Sequence, residues 1–385
     1  MRPASSPSVL PIPFRSRLHD DERIAAVLGI ALGICFLVCF ATGMLSYLVQ
    51  QPPSWFRWPS RPAGLYRLTQ GIHVATGIAC IPLVLAKLWV VYPKLFAWPP
   101  FTSVAHALER VSLLPLIGGA IFLLVTGVTN VMLWYVWPFA FRPAHRWAAW
   151  ITIGALVVHV GAKWTTTRRA LTRGGEPPDR ADEDEEAGLG RRGFLGVVFG
   201  TASLLTLFTV GQTIPAMRPF ALLAARRPDT GPQGFPVNRS AQSADVVDVA
   251  TSPEYRLVVE GAVDQPLELT LDELRALPQH EATLPIACVE GWSTVQRWRG
   301  VRVRDLLSIA GAADGAQAHV ESLQQRGANG SSDLNASHAH DRDTLLALEV
   351  NGEPLALDHG FPCRLIGPNR PGVMQTKWVT RIVVT

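Results

Sequence analysis

Five apolar runs, at residues 24–49, 68–86, 111–141, 147–162 and 194–217, organise the first half of the chain. The second continues its greasy pattern past Lys87 to Tyr92. A bilayer core takes about 20 apolar residues in helical form, so each run predicts a spanning helix. The fourth is short, and Arg146 and Lys163 can snorkel from its two ends. After Met217 the period changes. Strand-like runs follow at 255–263 (YRLVVEGAV), 267–274, 282–292, 361–368 and 377–385, separated by Gly, Pro and Asp turns. TLDELRAL and VRDLLSIAG predict short helices, the first with Thr270 as N-cap ahead of Glu273. The roughly 165 residues beyond Met217 suffice for one mixed α and β core.

Charge sets the expected orientation, because Lys and Arg near span ends mark the cytoplasmic side. The N-terminal tail carries Arg2, Arg15, Arg17 and Arg23; the stretch after the fourth run carries Lys163, Arg168, Arg169, Arg173, Arg191 and Arg192. Both therefore read as cytoplasmic. The first outer loop, QPPSWFRWPSRPAGLYR, holds three arginines and weakens the signal without reversing it. An odd fifth span then puts the C-terminal part outside the cytoplasm. The stretch at 174–190, GGEPPDRADEDEEAGLG, has the composition of a solvated acidic linker.

The resulting expectation is a multi-domain, multi-pass protein of the cell membrane. Its parts are a cytoplasmic tail (1–22), an all-α four-helix membrane domain (23–166), a cytoplasmic acidic linker (167–193), a fifth transmembrane helix (194–217) and an extracytoplasmic α+β domain (218–385).

Composition narrows the partners. Hydrophobic residues make up 48% and charged residues 17% of 385 positions, greasy for a soluble protein yet too polar for a pure membrane bundle. The net charge is +4 and no basic stripe interleaves with aromatics, which argues against nucleic acid. The five cysteines, 35, 39, 80, 288 and 363, make neither a CxxC pair nor a zinc-finger spacing. Cys35, Cys39 and Cys80 lie in apolar runs, where cysteine behaves as a small hydrophobe.

Ionisable residues inside a span are costly and functional by default. His73, His106, His145 and His159 lie in or beside the apolar runs. His145 and His159 are fourteen residues apart, which returns them to within about 40° of one helix face at a rise of ~21 Å. That spacing suits two haems at different depths, each needing a second axial ligand from a neighbouring helix. Depth pairs His73 with His145 near the outer side and His106 with His159 near the inner side; His73 with His159 mismatches.

The block 65–163 resembles a four-helix b-type cytochrome of the bacterial membrane, of the kind found beside molybdenum oxidoreductases. The resemblance implies haem b, one or two per chain, and exchange of electrons with the quinone pool. Lys87 stands fourteen residues after His73, where di-haem cytochromes of this type often have another histidine. GRRGFLGVVFGTASLLTLF, with Arg191 and Arg192 ahead of an apolar run, resembles a twin-arginine export signal lodged internally. That implies export of a folded, cofactor-loaded domain.

IACVEGWSTVQRWRGVRVRDLL around Cys288 resembles the cysteine segment of the sulfite oxidase superfamily of molybdopterin enzymes. Within it, Glu290, Trp292 and Ser293 resemble the molybdenum subunit of bacterial periplasmic methionine sulfoxide reductases. LLALEVNGEPLALDHGFPCRLIGPNRPGVMQTKWVTRI extends the likeness to the C-terminus, for a coverage of about 235–385. The resemblance implies that Cys288 is the thiolate ligand of molybdenum and the catalytic centre. It implies pterin contacts at Asn238, Arg239, Ser322, His359, Arg364, Gln375, Thr376 and Lys377, the last three through a backbone segment. Arg364 is the expected phosphate ligand, since a guanidinium fork suits phosphate. Cys363 reads as a packing residue. Arg297 and Arg299 are read equally as substrate-pocket groups or as solvent-facing strand charges. His338 and His340 read as parts of a solvated polar loop rather than metal ligands. The immunoglobulin-like dimerisation domain of animal and plant sulfite oxidases is expected to be absent, so a monomer is plausible.

The expected function is a membrane-bound molybdopterin oxidoreductase acting on a small molecule, by oxygen-atom transfer such as sulfoxide reduction. Two alternatives remain open: a sulfite-type dehydrogenase running in the opposite direction, and a non-catalytic haem-anchored pterin-binding protein.

Overall fold

A computed structural model describes residue 18 and residues 21–98, 103–172, 190–327 and 329–385. Most of the expected tail 1–22 and residues 173–189 of the acidic linker lie outside the described residues. The chain divides into two compact units: residues up to Ala41 with His73–Phe208, and Thr42–Ile72 with Thr209–Thr385.

Helices α1 (Glu22–Gln50), α2 (Leu65–Leu95), α3 (Val104–Val131), α4 (Phe141–Thr172) and α5 (Arg191–Val210) account for the first unit, the end of α1 and the start of α2 belonging to the second. Asp21 starts α1 by accepting from the backbone N–H of Arg23 and Ile24, and Ser103 caps α3 by accepting from that of His106, each meeting donors that a helix start leaves unpaired. Ile24, Leu28, Leu83, Val90 and Val198 pack α1, α2 and α5 into one buried cluster. Arg191 forms an ion pair with Asp21 at 2.6 Å.

Four helices among the described residues are long and apolar enough to cross a membrane: Glu22–Gln50, Leu65–Leu95, His106–Val131 and Arg191–Thr213. The expected fourth span does not join them by composition. Its helix α4 is 32 residues long, but Arg142, Arg146, Lys163, Arg168 and Arg169 dilute the apolar stretch.

The second unit is α+β. Leading into it are the short helices α6 (Ala241–Ala244) and α7 (Val247–Thr251). Then come β1 (Leu257–Gly261), β2 (Leu267–Leu269), α8 (Leu271–Ala276), β3 (His280–Ala287), β4 (Ser293–Arg302) and α9 (Val303–Ile309). The remainder comprises β5 (Ala318–Ser322), β6 (Ser331–Leu334), α10 (Ala336–Ala339), β7 (Leu345–Val350), β8 (Glu353–Pro354), β9 (Arg364–Ile366) and β10 (Val379–Val384). One sheet has the order β2-β1-β10-β5-β6, with β1 and β10 parallel and its other pairs antiparallel. The other runs β3-β4-β7-β8, with β9 also paired to β7.

Thr270 and Glu273 form the expected capping box at the start of α8. The stretch expected as a solvated loop around 328–341 instead contains β6 and α10, because Asn335 caps α10 and turns His338 inward to 2% exposure. β4 is not among the apolar strand runs, but it buries Gln296, Trp298 and Gly300 while Arg297 and Arg299 face outward, as the strand reading of the two arginines expected. Gly300 is required where β4 shifts register against β7: a Cβ there would lie 2.1 Å from the Leu346 carbonyl oxygen.

The connection between α1 and α2 lies across this domain. Trp58 Nε1 donates to the Asn369 carbonyl at 2.8 Å, and Asn369 N donates to that of Ala63. The Asn369 side chain accepts from Tyr66 N at 2.7 Å and donates to Pro59 O at 2.7 Å. Asn335 Nδ2 donates to the Trp58 carbonyl, and Arg61 pairs with Asp341 and Asp343.

Candidate molybdenum and pterin site

Cys288 follows β3 at the start of a tight turn. Its N–H donates to Trp292 O at 2.9 Å, and Gly291, at φ +90°, closes the turn by donating to Cys288 O. A left-handed residue is needed there, which favours glycine. Asn238 Nδ2 donates to Cys288 Sγ at 2.9 Å. The thiol is buried, and that burial pushes its pKa well up. A metal at this sulfur would displace the proton and hold the thiolate. Trp292 Nε1 donates to Glu290 Oε2 at 3.2 Å, with Arg226 Nε 3.9 Å from the same oxygen. Burial also raises the Glu290 carboxyl.

A cationic cradle forms from the predicted pterin residues. Arg364, on β9, is buried, with its guanidinium 5.5 Å above the Trp298 ring and NH1 donating to His359 O. Lys377 Nζ donates to the carbonyls of Asp358 and Arg239. Burial lowers Arg364 to about 10 and Lys377 to about 7, the latter helped by the neighbouring Arg364 and Arg239. His359 stacks on Phe235 at 3.7 Å, and burial pushes its imidazole down to about 4, so it is neutral and donates from Nε2 to Pro232 O.

The nearest carboxylate, Asp358, already accepts from Ala241 N. Arg239 Nε and Arg364 Nε are buried without a hydrogen-bond partner. A buried Arg364 guanidinium and a half-buried Arg239, each with an unmet Nε donor, fit an anion of phosphate type, which is what a pterin cofactor's tail provides.

Not every predicted contact points its side chain at a ligand. Ser322 Oγ donates to Lys377 O and so holds the Lys377 segment. Gln375 is locked to Gly367 by two bonds of 2.8 Å, and Thr376 Oγ1 shares a hydrogen bond with Ser332 Oγ. Gln375 and Thr376 therefore offer only backbone to a cofactor. Arg299 pairs with Glu349 at 2.7 Å and Arg297 is exposed, the pattern of strand-surface charges. Cys363 is buried against Tyr255 Oη at 3.1 Å, as a packing residue should be. His338 Nδ1 meets Asn335 Oδ1 and His340 Nε2 meets Ala316 O; among the described residues no His, Cys, Asp and Glu cluster has metal-site geometry.

Arg370 was not anticipated. It is buried, donates to the carbonyls of Asp333 and Met374, and leaves its Nε without a partner. The one available sign was an arginine trapped in the turn GPNRPG.

In the first unit His73 and His145 come together, with ring centroids 6.5 Å apart. Nδ1 of His73 lies 3.0 Å from Cys39 O, and Nδ1 of His145 lies 2.9 Å from Thr126 Oγ1. His106 sits at the start of α3, and His159 Nδ1 is buried without a hydrogen-bond partner.

The two-sheet domain with its cysteine turn and cationic cradle defines a class: the oxidoreductase molybdopterin binding domain, whose family model matches residues 243–385. The chain is 34% identical over 152 residues to the uncharacterised oxidoreductase YuiH of Bacillus subtilis (strain 168), covering 39% of this chain and 74% of that protein. It is 36% identical over 157 residues to mitochondrial sulfite oxidase of Mus musculus, covering 34% of this chain and only 29% of the mouse enzyme. The sulfane dehydrogenase SoxCD of Paracoccus pantotrophus aligns at 25% identity over 40% of this chain and 43% of that one, with a TM-score of 0.33. The chain belongs to the molybdopterin-binding oxidoreductases, an enzyme family that uses a molybdenum–molybdopterin cofactor.

Proposed function

We propose that this oxidoreductase is anchored in the membrane and exchanges electrons between a quinone pool, a b-type haem held by His73 and His145, and molybdenum ligated by Cys288. The observation that carries the haem is the histidine pair. An iron between two imidazoles sets their centroids about 6 Å apart, from two metal–nitrogen bonds of about 2 Å and the ring radii; the rings here are 6.5 Å apart. Each Nδ1 is engaged by protein, which fixes the ring and presents Nε2 as the ligating atom. A second haem at His159, with His106 opposite, is the extension of the same reading.

When bound, molybdenum–molybdopterin supplies two-electron oxygen-atom chemistry. The chain's own residues do the rest. Cys288 provides the soft sulfur donor, and Asn238 holds and polarises it through a 2.9 Å hydrogen bond. Arg239, Arg364 and Lys377 bind the cofactor's phosphate, and the neutral His359 stacks on Phe235 to wall that pocket. Asn238 thus serves the sulfur rather than the pterin. The C-terminal domain lies outside the cytoplasm, exported through the Arg191–Arg192 signal.

The substrate is a small oxo donor or acceptor, with sulfoxide reduction preferred because Cys288, Glu290, Trp292 and Ser293 resemble the reductase pattern. The deciding measurement uses the purified full-length protein. Dithionite-reduced haem, followed at its Soret band, is exposed to sulfoxides and N-oxides, and oxidised haem to sulfite. Reoxidation by a sulfoxide supports the reductase; reduction by sulfite supports the dehydrogenase. Haem with no molybdenum by metal analysis would leave a non-catalytic binding protein.

A further inference from the structure

The segment 42–72 lies outside the matched region 243–385, yet it reaches the cysteine turn. Gln70 Nε2 donates to the Val289 carbonyl at 3.2 Å. Tyr66 packs in one apolar cluster with Val49, Trp58 and Ala287. The residues on both sides of Cys288 are therefore met by this segment. Tyr66 is itself fixed at both ends, its N–H on Asn369 Oδ1 and its hydroxyl sharing a 3.0 Å hydrogen bond with Ser46 Oγ. Gln70 stands one helical turn further along α2, so its amide is held at a set height.

Gln70 is 6% exposed, and its Oε1 is buried without a hydrogen-bond partner. For stability this is a poor choice. An unmet buried acceptor costs at least as much as one hydrogen bond returns, and a leucine of similar volume would carry no such penalty. A residue that does not serve stability, placed against the loop of the metal ligand, calls for another role.

We propose that Gln70 is a positioning residue of the molybdenum site: its amide pins the Val289 carbonyl and thereby sets the position of Cys288 Sγ. This rests on Cys288 being the ligand. It makes the α1–α2 connection part of the active-site scaffold, a part the matched domain does not contain.

Full-length Gln70→Leu and Gln70→Met test it, neither side chain carrying a hydrogen-bond donor for Val289. Three readouts are followed: thermal unfolding, the rate of Cys288 alkylation by iodoacetamide in cofactor-free protein (read on the Cys288 peptide by mass spectrometry), and the Mo(V) EPR signal of loaded protein. Loss of one hydrogen bond should speed alkylation about five- to tenfold by loosening the turn. Gln70→Leu should keep or raise the unfolding temperature while shifting the EPR signal. Alkylation and EPR both unchanged would overturn the proposal. So would a fall in unfolding temperature that accounts for the other changes, since the role would then be structural. If the loaded wild type holds no molybdenum by metal analysis, the molybdenum reading fails, while the alkylation arm still decides whether Gln70 positions the turn.

Discussion

At Cys288, the unit of chemistry is one sulfur and the groups against it, the Asn238 amide that donates to it and the backbone and carboxyl of Glu290. Serine substitutes a harder and far less acidic hydroxyl at nearly the same volume. Cys288→Ser should leave the fold and the pterin in place, because the contacts proposed for the cofactor, at Arg364, Lys377 and the backbone, are untouched. Turnover should fall by orders of magnitude, and the Mo(V) EPR signal should change; a wild-type signal with wild-type turnover would refute the ligand assignment. Lys377 gives a pH-dependent counterpart. Burial beside Arg364 and Arg239 lowers its pKa to about 7, against about 10.4 in an unfolded chain. Between those two values the unfolded chain binds a proton that the folded one has released, so stability rises with pH across that window. The unfolding temperature of cofactor-free protein should therefore climb from pH 7 to about pH 9.5. Lys377→Met should flatten the climb, and so should loading the cofactor, whose phosphate restores the proton to Lys377.

Asn369 shows how one residue organises an element. Its N–H, its carbonyl and both ends of its amide all engage the stretch from Trp58 to Tyr66. Asn369→Ala removes two buried side-chain bonds, a loss of about 2 kcal/mol or more, and it strains a position at φ +54°. Limited proteolysis should then cut the 51–64 connection in the variant faster than in the wild type, with the helices unaffected. No reading of the sequence could pair these partners, since Trp58 and Asn369 stand 311 residues apart. Local devices were legible. The Thr270–Glu273 capping box and the helix α8 it opens are written within four consecutive positions, and the cysteine turn is written in VEGW. β4 was legible only through the reading of Arg297 and Arg299 as strand charges, because they alternate with buried Gln296, Trp298 and Gly300 and break the apolar run. α4 was legible as a helix with cations at its ends, and it is those cations that keep it from the apolar composition of the other four. The Gln70–Val289 contact was illegible for the same reason as the Asn369 contacts: it is non-local.

Across the molecule, His73 and His145 give the clearest test of the redox proposal. His73→Ala should abolish the b-type absorbance that the pair supports and stop electron delivery to molybdenum, while activity with an artificial donor persists. A haem-to-chain ratio of one would sink the two-haem version, and loss of that haem in His73→Ala would assign it to the His73–His145 pair. The order of the sheet β2-β1-β10-β5-β6 bears on how this protein is made. Its middle strand is β10, Val379–Val384, parallel to β1 and antiparallel to β5. A ribosome delivers that strand after all the others, so β1 and β5 must wait without the neighbour that joins them. That sheet cannot close during translation; it does so in one late event once residue 384 has left the exit tunnel. A nascent chain arrested at residue 378 should accordingly be cut by protease in β1, β2, β5 and β6, whereas one extended past 385 on a linker should be resistant there. Pterin capture and any export of the folded domain would then be timed by the release of its last strand.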